Sequence, residues 1–259
     1  MSKDLQLGIH ENITYEEYDL IPAYRSHDLT ASIRCPYSWK YKKAMTQTPA
    51  LLEGRVQHTV FLEHQNFDAE FVIQPNIDRR TKAGKAEYQS FMDTVGTRTA
   101  ISRDLYDTCM ERRNVVQTFV PGKEDSVELT IVFMWHDQPF KCRLDWYSKP
   151  FVWDLKTCRD ASPRGFRGAI NSFNYHMQAA LYVDACKSVG LPAEGFKFLA
   201  QEKAHPYPFA VYTMSAEALE YGRARNEQAL SMLLECKAKD EYQPYNLAGE
   251  QIIEITDLY

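Results

Sequence analysis

Residues 127–157 read VELTIVFMWHDQPFKCRLDWYSKPFVWDLKT, and this stretch sets the architecture of the chain. Two runs rich in β-branched and aromatic residues, Val127–Trp135 and Phe140–Tyr147, are joined by a short polar turn, and this pattern predicts a β-hairpin. Pro150 precedes a third apolar run that ends in Asp154-Leu155-Lys156-Thr157. The sequence therefore predicts three consecutive strands in the middle of the chain.

Helical patterns surround these strands. Before them, the sequence predicts helices from Ser26 toward Tyr41 with a restart at Pro36, from Leu51 to Glu63, from Lys82 to Val95 and from Ser102 to Phe119, with Ser26 and Ser102 as caps. After them, it predicts a helix over Ser172–Val189, strands over Gly195–Ala200 and Phe209–Met214, and a helix over Ser215–Lys237. This order indicates an α/β (α+β) fold with a central mixed β-sheet flanked by helices. We expect a single domain over 1–259, mainly helical in 1–120, with the sheet and further helices in 121–259.

The composition of the 259 residues is typical of a globular protein. Aromatic residues make up 13%, which supplies a core and excludes a disordered chain. We expect a cytoplasmic protein without membrane contact, because the first residues lack a signal-peptide pattern and no apolar run approaches the roughly 20 residues of a membrane span. The net charge of −5 argues against an indiscriminately basic nucleic-acid binder, although it permits basic residues gathered in one channel.

Two acidic residues close neighbouring predicted strands. Asp145 lies at the end of the hairpin and Asp154 at the end of the third strand, so we expect both carboxylates at one edge of the sheet, where they suit Mg²⁺. Lys156 shares the face of Asp154, because side chains alternate along a strand. Such a lysine can orient or help deprotonate an attacking water, or offset charge in a phosphoryl transition state. The alternative is two solvent-facing acids with Lys156 in a surface ion pair.

Three helical residues are further candidates for the site. His58 lies on the helix predicted from Leu51, where a histidine is either a structural residue or a ligand that completes a metal shell for Mg²⁺ or Mn²⁺. Gln178 and Tyr182 are four residues apart and share one helix face. They either belong to the core and its rim or point toward a phosphate backbone or the lysine.

Together these residues resemble the RecB-like branch of the PD-(D/E)XK nucleases. The matching pieces, in chain order, are Gly54-x-x-x-His58, Asp145, Asp154-Leu155-Lys156 and Gln178-x-x-x-Tyr182. Further stretches are similar to the nuclease domains of exonuclease VIII (RecE): residues 11–18 (ENITYEEY), 52–54 (LEG) and 79–85 (RRTKAGK). The resemblance covers nearly the whole chain and implies the PD-(D/E)XK nuclease fold.

The resemblance also implies a role for each matching residue. His58, Asp145 and Asp154 would bind the metal together with the carbonyl of Leu155. Lys156 would position the nucleophilic water, with Gln178 and Tyr182 supporting the site. Glu128 resembles an acidic position of some relatives.

The activity implied is a Mg²⁺-dependent exonuclease that degrades linear double-stranded DNA from the 5′ end and leaves 3′ single strands for recombination. Such enzymes form homo-oligomeric rings and work beside a single-strand annealing protein of the RecT type, which indicates a phage-encoded or bacterial protein. Cluster-containing relatives carry three cysteines near the C-terminus, whereas only Cys186 and Cys236 lie there, so we expect no iron–sulfur cluster. The alternatives are an endonuclease or single-strand nuclease of the same fold, a catalytically silent DNA-binding module, and a glycosidase with Asp145 and Asp154 as its carboxylate pair.

Basic residues are candidates for DNA binding. The densest run contains Arg79, Arg80 and Lys82, and Arg164 and Arg167 follow the predicted catalytic strand. Phosphate contacts from such residues hold DNA without reading its sequence, as an end-degrading enzyme requires. The alternative for each group is a solvated helix face.

Overall fold

The computed structural model describes residues 6–43 and 47–245. Its helices are α1 Tyr15–Leu20, α2 Ser26–Arg34, α3 Pro36–Lys40, α4 Pro49–Leu62, α5 Phe67–Glu70, α6 Lys82–Val95, α7 Arg103–Val115, α8 Pro163–Phe173, α9 Tyr175–Ser188 and α10 Ala216–Lys239, with 3₁₀ turns at His64–Asn66 and Gln117–Phe119. Its strands are β1 Gly8–His10, β2 Phe71–Ile73, β3 Thr99–Ile101, β4 Ser126–Trp135, β5 Gln138–Ser148, β6 Phe151–Cys158, β7 Gly195–Glu202 and β8 Phe209–Thr213.

The main sheet has six strands in the order β1-β4-β5-β6-β7-β8. Every neighbouring pair is antiparallel except β6 and β7, which are parallel and are connected through α8 and α9. A separate parallel pair, β2 with β3, lies within the helical first half. The predicted fold class, a central mixed sheet flanked by helices, is confirmed.

The hairpin of β4 and β5 follows from its turn residues. His136 and Asp137 both have positive φ, 47° and 58°, while Trp135 and Gln138 already pair across the ladder. Two consecutive left-handed residues make a type I′ turn, whose twist matches that of the strands it joins. The predicted turn is therefore confirmed and contains two residues, with Gln138 belonging to β5.

The start of α2 and the end of α7 differ from the sequence prediction. Ser26 is not the cap of α2 but its first residue: Arg25 precedes the helix, and its N–H donates to the Asp28 carboxylate at 3.0 Å. Asp28 is the third residue of the helix, and its carboxylate accepts the backbone N–H of the N-cap residue, as the acidic residue of a capping box does. The cap at Ser102 is confirmed, since its hydroxyl accepts from the N–H of Leu105 at 3.2 Å. That helix ends at Val115 rather than at Phe119, which lies in a 3₁₀ turn.

The helix predicted over Ser172–Val189 is confirmed from Tyr175 to Ser188 as α9, but its predicted start is wrong. The structure has two helices, α8 and α9, separated by Asn174 in the left-handed conformation (φ 55°, ψ 39°). Asparagine tolerates this conformation because its short polar side chain costs little there. α8 was not predicted at all, although Ser162 caps it through the N–H of Gly165 at 3.2 Å.

The largest core lies between the sheet and the helices α2, α9 and α10. Helices α9 and α10 pack closely, since a Cβ at Gly222 would lie 2.2 Å from the carbonyl oxygen of His176. Another cluster joins α4 to the opposite side of the sheet through Phe61, Trp146 and Leu155. In the described part of the chain, no helix combines the length and apolar character that crossing a lipid bilayer requires.

Candidate active site

The candidate site lies where β5 and β6 separate, which we call the strand fork. The two strands pair only from Trp146↔Trp153 to Ser148↔Phe151. One step further, Asp145 and Asp154 face each other, and the Leu155 N–H donates to Asp145 Oδ2 at 2.7 Å. The Asp145 carboxylate therefore accepts the hydrogen bond that a backbone carbonyl of β5 would accept if the ladder continued.

The expectation that both acids close their strands was wrong. Because β5 and β6 are antiparallel, their C-terminal ends lie at opposite edges of the sheet. Asp145 and Asp154 are both inside their strands and meet because they occupy equivalent positions in the register. Beyond them the free edge of β5 pairs with Tyr24, whose N–H donates to the carbonyl of Pro139 at 2.8 Å.

Glu128 contributes a third carboxylate beside the strand fork. It lies opposite Asp145, since Val127 pairs with Trp146 and Leu129 with Leu144. Glu128 has φ 50° inside β4, a left-handed conformation that is rare in a strand. The side chains of β4 change face at Glu128, because Leu129 lies in the main core whereas Val127, two residues earlier, packs against the cluster on the opposite side of the sheet.

His58 reaches the carboxylates from α4. Its Nδ1 lies 3.6 Å from Asp145 Oδ2, and its side chain is about one-third exposed. One ligand atom each from His58, Glu128 and Asp145 lies within 4.8 Å of the others. One imidazole nitrogen and two carboxylate oxygens at this separation can converge on one divalent cation.

Asp154, Lys156 and Gln178 form the other half of the site. Lys156 Nζ lies 2.7 Å from Asp154 Oδ2, and Gln178 Nε2 donates to Asp154 Oδ1 at 2.9 Å. Asp154 is 1% exposed, so this ion pair is not the surface pair considered as the alternative. Gln178 projects from α9, which packs on the face of the sheet that carries Asp154.

Electrostatic crowding marks the site. Burial, followed by the charge of Asp154, raises the pKa of Asp145 well above its usual range. Burial and the neighbouring Asp145 raise the pKa of Glu128 to about 7. Burial alone would lower the pKa of Lys156, but the attraction of Asp154 and Asp145 outweighs it and the pKa is raised. A further positive charge at the site would stabilise the ionised forms of Asp145 and Glu128.

The imidazole of His58 is suited to metal binding. Burial lowers its pKa, and the opposing attraction of Glu128 and Asp154 does not compensate. The ring is therefore neutral at neutral pH and keeps a lone pair for a ligand bond.

Tyr182 lies in the main core. It is 9% exposed, and its ring centroid lies 6.3 Å from that of Phe196 in the main core. Burial raises the pKa of its hydroxyl well above the usual value, with smaller contributions from Asp154 and Asp145. The packing is that of a core residue, and its supporting role remains a prediction.

The predicted DNA-binding residues are exposed. Arg79 lies over the ring of Tyr88 at 4.6 Å, Arg80 pairs with Asp78 at 2.9 Å, and Lys82 is the first residue of α6. Arg164 and Arg167 lie on the exposed face of α8. Contact of either group with DNA remains a prediction.

Two residues of the site were missed from sequence. Arg143 forms an ion pair with Glu128 and donates to the carbonyl of Ile13 at 3.2 Å. Tyr175 covers Lys156, whose Nζ lies 4.8 Å from the ring centroid. Tyr175 precedes Gln178 by three residues, so helical spacing could have found it. Spacing could not have found Arg143 in this way, because its ion pair with Glu128 depends on the left-handed conformation of Glu128.

Comparison with known proteins agrees with this fold. No curated protein matches the chain. The structure is similar to a crystal structure of a "Putative exonuclease" from Eubacterium rectale, with a TM-score of 0.63 and 13% identity over 96% of this chain and 98% of that one. A likeness at this identity concerns the fold alone. The crystal structure of SSO0001 matches with a TM-score of 0.33 and 11% identity over 78% of this chain and 90% of that one, which is too low to support an argument.

The family comparison covers most of the chain. Residues 35–250 match the family described as a PDDEXK-like domain of unknown function (DUF3799). This segment contains His58, Asp145, Asp154, Lys156 and Gln178, so the family match and the geometry of the strand fork concern the same residues. The chain belongs to this PDDEXK-like family.

Proposed function

We propose that the protein is a Mg²⁺-dependent exonuclease that degrades linear double-stranded DNA from the 5′ end and leaves 3′ single strands for recombination by strand annealing. The observation that carries the proposal is the strand fork, where Asp145 and Asp154 meet and Lys156 pairs with Asp154. The PDDEXK-like family supports a nuclease, and the resemblance to exonuclease VIII nuclease domains supports the finer activity. The glycosidase alternative would leave Lys156 and His58 without roles.

The donor set of the site fits a hard divalent cation. His58, Glu128 and Asp145 bring ligand atoms together, and the raised pKa values of both carboxylates indicate that positive charge is in deficit there. His58, Asp145, Asp154 and the carbonyl of Leu155 would hold Mg²⁺, with Mn²⁺ as a substitute and Glu128 as a further ligand. When bound, the cation would supply Lewis-acid activation of water and of the scissile phosphate.

The protein's own groups would divide the remaining work. Lys156 stays protonated at neutral pH, because the attraction of Asp154 and Asp145 raises its pKa. It would therefore orient the attacking water through N–H donation and offset charge on the phosphoryl oxygens, rather than act as a general base. Gln178 would hold Asp154 in place through its 2.9 Å hydrogen bond. Tyr182, one turn further along α9, would support the site from the core.

The partners are proposed on the resemblance. DNA ends would be the substrate, held by Arg79, Arg80, Lys82, Arg164 and Arg167, and a RecT-like annealing protein would receive the 3′ strand. A homo-oligomeric ring would place basic residues in a channel although the net charge is −5. The protein would act in the cytoplasm of a bacterial host, encoded by the host or by a phage, without a membrane partner or an iron–sulfur cluster.

End-labelled substrates test the activity. Purified protein is incubated with linear duplex DNA labelled at one 5′ end and with a covalently closed circle, in Mg²⁺ and in chelator. We expect release of the 5′ label from the linear DNA alone, abolished by chelator and in Asp154→Ala and Lys156→Ala. A cut circle would identify an endonuclease. Binding without cleavage of either substrate would identify a silent binding module.

A further inference from the structure

An exposed aromatic side chain lies next to the candidate site. Phe173, the last residue of α8, is 63% exposed. Its ring stacks on Tyr175, with centroids 5.5 Å apart and an interplanar angle of 26°. Tyr175 in turn lies over the ammonium of Lys156 at 4.8 Å. One aromatic ring therefore separates Phe173 from the lysine of the strand fork.

The position of Phe173 is not explained by core packing. Phe166, Ala169, Ile170 and Phe173 are spaced i, i+3, i+4 and i+7 on the apolar face of α8. The first three pack in the main core, whereas Phe173 extends beyond it. Exposing most of a phenylalanine side chain forfeits part of the stabilisation that its burial would contribute.

The break between α8 and α9 holds this arrangement. Asn174 is left-handed, so α8 ends at Phe173 and α9 begins at Tyr175, with their rings stacked. Tyr175 is itself anchored, since its ring lies 5.7 Å from Phe198 and 6.2 Å from Phe166. Phe173 thus rests on a fixed support and leaves its other face open.

We infer that Phe173 is a base-stacking residue that positions the nucleotide next to the scissile phosphate. This inference rests on the proposed nuclease function. A nucleotide whose phosphate lies near Lys156 would extend its base past Tyr175, and the open face of Phe173 offers a partner that accepts any base. The exposed Arg164 and Arg167 on the same helix would attract the adjoining backbone.

A double-mutant cycle tests the inference. Single-turnover release of the 5′-terminal nucleotide is measured for the wild type and Phe173→Ala, on duplexes with an intact or an abasic terminal nucleotide. Loss of base stacking should slow Phe173→Ala about fivefold to a hundredfold on the intact substrate, with little change on the abasic one. Phe173→Trp should keep wild-type rates and Phe173→Leu should not. Equal losses on both substrates, or full activity of Phe173→Leu, would overturn the inference.

The control is an exposed phenylalanine on the opposite face of the sheet. Phe209 on β8 pairs with Gln201, one position from the row of the sheet that contains Lys156. Its ring contacts that of Phe119 edge to face, with centroids 5.7 Å apart. Phe209→Ala should leave both substrates unaffected.

Fluorescence separates this inference from the proposed activity. A duplex with 2-aminopurine at the 5′ terminus is bound in chelator, so that no cleavage is required. Quenching by the wild type and Phe173→Trp, but not by Phe173→Ala, would support stacking. If the wild type showed this quenching but cleaved no DNA, the stacking inference would stand and only the proposed activity would be refuted. Equal fluorescence with the wild type and Phe173→Ala would overturn the inference whatever the activity.

Discussion

Replacing Asp145 with asparagine should stabilise the metal-free protein while it abolishes cleavage. Asp145 lies between Glu128 and Asp154, in a cluster that Lys156 and Arg143 partly neutralise. The asparagine would keep the shape of the side chain, and its amide oxygen could still accept the N–H of Leu155, which now donates at 2.7 Å. The substitution therefore removes a charge and keeps the hydrogen bond.

The size and sign of the effect follow from the pKa of Glu128. Burial and then Asp145 raise this pKa from 4.5 to about 7. Because the folded pKa is the higher one, the contribution to stability is complete below about 4.5 and is lost as the pH rises through 7. At about 1.4 kcal/mol per pKa unit, the full interval corresponds to at most about 3.5 kcal/mol. Burial is the larger cause, so removing the charge of Asp145 should recover about 1 kcal/mol at pH 8.

Thermal unfolding in chelator measures this effect between pH 5 and pH 8. For a chain of this length, about 1 kcal/mol corresponds to a Tm increase of about 2–4 °C for Asp145→Asn at pH 8, and the fall of Tm with pH should be shallower. Adding Mg²⁺ should raise the Tm of the wild type and not that of the variant. A variant less stable than the wild type at pH 8 in chelator, or one with an unchanged pH profile, would show that charge repulsion does not set the pKa of Glu128.

Three further predictions concern the support of the site. Lys141→Met should cost about 2–4 kcal/mol in urea unfolding, because the buried ammonium of Lys141 donates to three backbone carbonyls at the end of α1, and an unchanged midpoint would contradict this. Arg112→Met should lower the free energy of unfolding by about 3 kcal/mol, since Arg112 joins α7 to Glu53 of α4 at 2.7 Å; Arg112→Lys should restore only part of it. Gln178→Ala should lower kcat about 10–100-fold with an unchanged Tm, because Asp154 loses its 2.9 Å hydrogen bond. A lower Tm of the variant would instead assign Gln178 to the core.

The local parts of this architecture could be predicted from sequence. The hairpin follows from two apolar runs around a polar turn, and the helix Lys82–Val95 has the predicted bounds. Lys156 and Asp154 share a face because a strand has a period of two. These properties depend on neighbours within a few residues, so they can be predicted from the periodicity of apolar residues and from the turn residues.

The misplaced elements depend on conformations that sequence patterns report poorly. Asn174 adopts a left-handed conformation that separates α8 from α9, and this break brings Phe173 beside Tyr175. Glu128 is left-handed inside a strand, where its residue type favours no such conformation. In both cases the surrounding packing, rather than local preference, holds the backbone.

The groups of the candidate site could be predicted from the chain alone: an imidazole, acidic residues, a lysine and a glutamine lie at spacings that resemble those of PD-(D/E)XK nucleases. How these groups meet depends on the folded arrangement. Asp145 and Asp154 come together because the β5–β6 ladder ends one residue before them, and α4 and α9 bring His58 and Gln178 to the strand fork from other parts of the chain. Strand register and helix packing depend on the free energy of the whole core, which includes contacts between residues far apart in the sequence, so they cannot be predicted from a short stretch considered alone.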